Sequence, residues 1–283
     1  MVAAVRAGGH IRFDCGPKPV TITLRKTAKV VNTSREVLLD GGGRVTLSGG
    51  GKRRILYMNT CDPAQKFTTS HCQDQSTPRL TVRDIKFERG NATGETFDGG
   101  GGGAIFARGG RLRILRSTFS INRCDGNGPD IGGGAVRALS QYRGRAVQVT
   151  GSRFSRNVCS NGGALSSIGV SWTITRSEFT ANRAIGRGAN PARDGTPGGG
   201  SGGAIYTDGN RFTLKLVDTR MGENYAREGG GAIFFVSNDR TGTLAITRSR
   251  LEDNLSGGFE TRGLPGIFFL GAGKPAIADS VLR

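Results

Sequence analysis

Two carboxylates stand in matching surroundings. Glu223 and Asp253 each precede an asparagine, Asn224 and Asn254, and lie 30 residues apart. If those surroundings are copies of one unit, the pair sits about 5 Å apart on neighbouring strands. Carboxylates that close raise one of their pKa values, hold a cation such as Ca2+, or carry glycosidase chemistry. Glu252 and several arginines crowd the same stretch, and no further group completes a catalytic set. Asp98, Asp125, Asp130 and Asp194 fall in variable Gly-rich stretches, where they either line a binding site or solvate a loop.

Sulfur and imidazole offer little metal chemistry. The five cysteines form no C-x-x-C pair, and the two histidines, His10 and His71, stand apart, so no metal centre is expected. Cys124 and Cys159 each follow a phenylalanine, Phe119 and Phe154, by five residues, which places them side by side and pairs them as a disulfide. Cys61 and Cys72 flank a polar stretch and staple it, and Cys15 is left over. The alternative is that all five are small buried residues. Two bridges favour an oxidising, extracellular setting. Met1–Gly9 lacks the apolar stretch of a signal peptide, and no run approaches the ~18 apolar residues of a membrane helix.

Lys and Arg number 40 against 22 Asp and Glu, a formal charge of +18, and 32 of the 40 are Arg. Arginine suits bidentate contacts to carboxylate, sulfate or phosphate. The densest groups are Lys52-Arg53-Arg54 and the set Arg137, Arg143, Arg145, which fit a face for polyanions. The competing reading is a solvated basic surface. Aromatics are few and no nucleic-acid motif accompanies the charge, which disfavours nucleic acid. The 48 glycines have no three-residue period, which excludes collagen, and their clusters disfavour an ordinary helical protein. They precede strands, whereas a phosphate loop opens a helix.

The elements that position these residues repeat. A short apolar strand, a small hydroxylic residue, a large apolar anchor and then Asn recur along the chain. The anchors are Phe87, Phe119, Phe154, Phe179, Met221, Leu251 and Leu282, and the asparagines Asn122, Asn157, Asn182, Asn224 and Asn254. Between them Gly-Gly-Ala plus an aliphatic residue recurs at 102–105, 133–136, 162–165, 202–205 and 230–233. Length varies at one corner, between each Asn and the next Gly-Gly-Ala. So small a unit cannot bury its own apolar face, and stacked copies can, each strand pairing with its copy in the next coil. Equivalent slots then form columns. Five before the anchor stand Val82, Ile114, Val149, Ile174, Leu216, Ile246 and Ile277, an inward column. The slots three and one before it carry charges of both signs, such as Arg176–Asp218–Arg248 and Arg153–Glu178–Arg220, and read as outward surface ladders. The asparagines read as a structural ladder at a turn. Short strands are expected at 20–24, 37–39, 45–47 and 55–58, split by glycine clusters.

The Gly-Gly-Ala-Ile and Phe-x-x-Asn pairs resemble the repeats of chlamydial polymorphic outer-membrane proteins and, more broadly, the pectin-lyase-like parallel β-helix proteins of bacteria. Residues 8–58, with Phe13-Asp-Cys-Gly and Leu39-Asp-Gly-Gly-Gly, are similar to the first coils of secreted members. The resemblance implies an all-β, right-handed parallel β-helix of roughly nine to ten coils at ~4.8 Å each. It is one domain over 1–283: N-terminal coils over 1–60, a polar excursion over 61–79 and regular coils over 80–283. Val2–Gly9 is similar to the tail of a capping helix. Both chain ends read as cut, and end-to-end association is expected. The expected function is a secreted or cell-surface module, structural and adhesin-like. It would bind acidic or neutral polysaccharide, or another anionic surface polymer, through Arg137, Arg143, Arg145, Asp125, Asp130 and Asp194, with no cofactor. The alternative is a polysaccharide lyase or glycoside hydrolase, although the enzyme motifs of the group are not recognisable and Glu223 and Asp253 are the only catalytic candidates.

Overall fold

A computed structural model describes residues 1–283, apart from the side chain of Asp98. The protein is nearly all β-structure, and its strands pair in parallel within three sheets of 16, 8 and 4 strands. Each strand pairs with its copy in the next repeat. In the eight-stranded sheet Ile105, Val136, Leu165, Ile205, Ile233 and Ile267 lie in one row, led by the Gly-Gly-Ala motifs. The 16-stranded sheet carries the anchors, where Phe87, Phe119, Phe154, Phe179, Met221, Leu251 and Leu282 are partners in succession.

One hydrophobic core runs through the stack and contains both rows. Phe87, Phe119, Phe154 and Phe179 stack with ring centroids 4.9, 4.8 and 4.7 Å apart, each fully buried. Burying such a ring contributes about 1.5–3 kcal/mol, and the strand spacing itself sets the stacking distance. The aliphatic column is buried from Val82 to Ile246, whereas Ile277, on the outermost strand, stays 37% exposed. Val2–Ala7 is a short helix whose Val5 packs on the core.

Three sequence features acquire physical reasons. In each Gly-Gly-Ala the first glycine takes a left-handed conformation, as Gly133 does at φ +74°, and a Cβ on the second, Gly134, would lie 2.4 Å from the Gly163 carbonyl oxygen. The slot three before the anchor is left-handed in every copy, from Asp84 at φ 49° to Asp279 at φ 51°, and so makes the bend between two strand segments. The hydroxylic slot that follows ties the bend: Ser152 Oγ donates to the Thr150 carbonyl (3.0 Å) and accepts from the Ser117 N–H (3.1 Å).

The glycine cluster at 41–43 does not split the strand as the sequence suggested. Glu36–Ser48 is continuous, with a register shift between Asp40 and Val45. Gly42 and Gly43, both at positive φ, absorb the extra residues as a bulge.

Candidate functional site

The slot eight before the anchor begins Arg79, Arg111, and these are direct partners on adjacent parallel strands. Two residues on, Thr81, Arg113 and Gln148 share a row. Alternation sends both rows to the outer face of the long sheet, because the intervening Leu80 and Leu112 are buried. The insertion before the next strand brings a further arginine. Its turn, Tyr142–Gly144, carries Arg143 in a left-handed conformation and leads into Arg145. Together Arg79, Arg111, Arg113 and Arg145, with Glu36, Gln141 and Gln148, line a cleft of about 520 Å3.

The wall of this cleft is fixed from both sides. Gln141 accepts the Leu112 N–H (2.8 Å) and donates to the Gly109 and Ser140 carbonyls (3.2 and 2.8 Å). The Arg143 N–H donates to Asp74 (2.6 Å), which stands two residues after Cys72. Cys72 is disulfide-bonded to Cys61, so the stapled excursion buttresses the arginine-bearing turn. The guanidinium groups of Arg111 and Arg143 lie 5.6 and 5.2 Å from the Tyr142 ring.

Charge in the cleft is left unbalanced. Among the described residues none of its four arginines has a carboxylate within 4.0 Å. Burial, and then the like charges of Arg79 and Arg145, hold the Arg111 guanidinium below its ordinary pKa. Its buried Nε has no hydrogen-bond partner. Such an array can grip a carboxylate, sulfate or phosphate group and lowers its own repulsion by doing so.

The residues named from sequence separate into several places. Arg145 lines this cleft, and Arg143 stands on the turn beside it. Arg137 does neither: it lies on the eight-stranded sheet, 1% exposed under the corner loops, donating to Ser166 and to the Asp130 carbonyl. Burial pushes its pKa down to about 10. Asp125 accepts the Gly94 N–H and ties two corner loops together. Asp130 and Asp194 are exposed loop residues, and Asp98 lies outside the described side chains. Glu223 and Asp253 occupy the left-handed turn slot that Arg89, Ile121, Arg156 and Ala181 fill elsewhere. Both are exposed, and among the described residues no group of three or more His, Cys, Asp or Glu that could hold a metal forms around them.

Asn122, Asn157, Asn182, Asn224 and Asn254 form a buried column. Each of the first four donates from Nδ2 to the next Oδ1, at 2.8–3.0 Å. Cys124 and Cys159 are bonded, with Cα atoms 4.9 Å apart, and Cys15 is free and exposed. The outward ladders pair in part. Arg116 grips Asp84 at 2.7 and 2.6 Å, and Arg248 grips Asp218 at 2.7 and 3.1 Å. Arg153 meets Glu178 at 3.4 Å. Arg176 acts on Asp218 only through its field.

The grouping of Arg79, Arg111 and Arg113 is not among the sequence expectations, although extending the column reading to the slots eight and six before the anchor exposes it. No described helix is long and apolar enough to cross a membrane. The chain matches no family model, no curated protein and no solved structure.

Proposed function

We propose that the three sheets are the walls of one right-handed parallel β-helix, secreted or held at a cell surface, that binds an acidic polysaccharide or a similar anionic polymer. The observation that carries the reading is the Arg79–Arg111–Arg113–Arg145 cleft, where Arg79 and Arg111 face each other on adjacent strands. Four arginines stand there against one lining carboxylate, Glu36, the partner of Arg79 on its other side, with no ion pair within 4.0 Å among the described residues. Like charges placed directly opposite oppose folding, so a bound polyanion relieves a strain built into the sheet. The pairing of successive repeats supports the helical fold, and the two disulfides support an oxidising location.

Titration calorimetry of the full chain with dextran sulfate and polygalacturonate, at low and high salt, tests the binding. Saturable heat at low salt that fades at high salt is the expected result. Absence of binding to both polymers at low salt overturns the reading. The same mixtures, assayed for unsaturated or reducing ends, report any turnover.

A further inference from the structure

A second cleft, of about 560 Å3, opens on the eight-stranded sheet toward the C-terminal repeats. Its chemistry is the reverse of the first. The floor is apolar, from Val236, Phe268 and Leu270, outward residues of neighbouring strands. Phe268 continues an outward aromatic row, stacking on Phe234 (5.2 Å), which stacks on Tyr206 (5.0 Å). The rim carries Asp130, Asn190 and Asp208, and no Lys or Arg lines the cleft, in a chain with 40 such residues.

The rim is built and rich in acceptors. Asn190 sits on the loop before Gly-Gly-Ala 202–204, which closes on itself through Arg187–Gly198 and Ala189–Gly199 bridges. Arg193 on that loop clamps Glu228 at 2.9 and 3.0 Å, and Glu228 also accepts the Gly188 N–H at 2.8 Å. Asn190 Nδ2 donates to the Pro129 carbonyl and the Tyr206 hydroxyl. A carbonyl only accepts, so the amide orientation is fixed, and Asn190 Oδ1 remains buried without a partner. The Asp208 carboxylate accepts from Tyr206 (3.1 Å) and Asn238 (3.2 Å). Two carboxylates above an apolar floor ask for a ligand with one C–H face and several donors.

We propose that this cleft binds one pyranose ring of an amino sugar, its C–H face on Phe268 and its ammonium and hydroxyl groups toward Asp130 and Asp208. A neutral sugar binds more weakly, and a uronic acid is rejected by the carboxylates. The site is separate from the arginine cleft in sheet and in charge, so it stands or falls independently of the polyanion reading.

The test is saturation-transfer NMR and calorimetry of the full chain with the methyl glycosides of glucosamine, glucose and glucuronic acid. The expected order is glucosamine over glucose over glucuronic acid, with glucosamine near about 1 mM and roughly tenfold ahead of glucuronic acid. Asp130 is exposed and, among the described residues, no ion pair within 4.0 Å holds its side chain, so Asp130→Lys should abolish the preference for the amine, with a melting scan to check that the variant folds with a new cation near the buried Arg137. Phe268→Ala should weaken glucosamine and glucose alike. Arg111→Ala should leave glucosamine and glucose unchanged while losing dextran sulfate, and it removes from the comparison any glucuronic acid held by the arginine cleft. Equal affinity for the three glycosides, no binding of any, or an amine preference that survives Asp130→Lys overturns the proposal.

Discussion

The long sheet treats its charges in two ways. In the slot three before the anchor, Asp84 meets Arg116 and Asp218 meets Arg248, each pair held by two hydrogen bonds across one strand spacing. In the slot eight before the anchor, Arg79 meets Arg111 across the same spacing, and Arg145 adds a further cation. The step from one copy to the next is common to both, but the first slot lies at the left-handed bend and the second in paired strand, and the choice of residue differs. The first arrangement is complete within the chain. The second has one carboxylate, Glu36 opposite Arg79, for four arginines, and under the proposed reading an anionic ligand completes it.

Substitution should separate the two ladders most sharply in binding. Arg111→Ala and Arg145→Ala should each lower affinity for dextran sulfate about tenfold or more in calorimetry, whereas Arg116→Ala and Arg248→Ala should change it less than about twofold. Salt dependence sharpens the same contrast. Each arginine removed from the cleft should flatten the fall of binding with ionic strength, and ladder variants should keep the parent slope.

Stability should move in opposite directions, by smaller amounts. Arg111→Gln relieves repulsion and should raise Tm by about 1–3 °C, while Arg248→Gln should lower it by a similar amount, as read by calorimetric melting. The smallest effect is that of pH. The two hydrogen bonds from Arg248, outweighing desolvation, hold the Asp218 carboxyl below the usual range. A depressed acid stabilises the fold above its unfolded pKa and loses that contribution as pH falls through the folded value. The Tm gap between the parent and Asp218→Asn should therefore persist down to about pH 4 and close below it. Binding of a sulfated polymer should not change over that window, because guanidinium stays charged.

Much of the architecture could be read from one chain because stacking makes equivalent slots neighbours. Phe119 and Phe154 are 35 residues apart in sequence and 4.8 Å apart in space, so a column of like residues announces its own contact. The same logic found the partners of Cys124 and Asn157. It failed where a residue leaves the repeat. Arg145 sits in an insertion, and its approach to Arg111 depends on a turn braced by Gln141 and Asp74. Arg137 stands near Arg143 in sequence, yet the chain turns between them from one sheet to another, and the Asp130 loop buries it. Proximity along the chain was the wrong measure there. Position within the repeat was the right one.

The asparagine column also has a direction. Every shared Oδ1 accepts both the main-chain N–H and the side-chain amide of the preceding copy, as Asn157 does for Asn122 and Asn182 for Asn157. The bond pattern is therefore indifferent to which copy stands next, provided that an asparagine fills the slot. Deleting residues 157–181 would bring Asn182 beneath Asn122 and restore the chain of amides, although outside the column Cys124 would lose Cys159, Arg137 would lose Ser166, and the 128–131 loop would lose Ser160 and Asn161. The stack behaves as a ruler graduated in strand spacings of about 4.8 Å. Inserting or removing complete repeats between the arginine cleft and the second cleft would then change their offset along the stack in steps of one strand spacing.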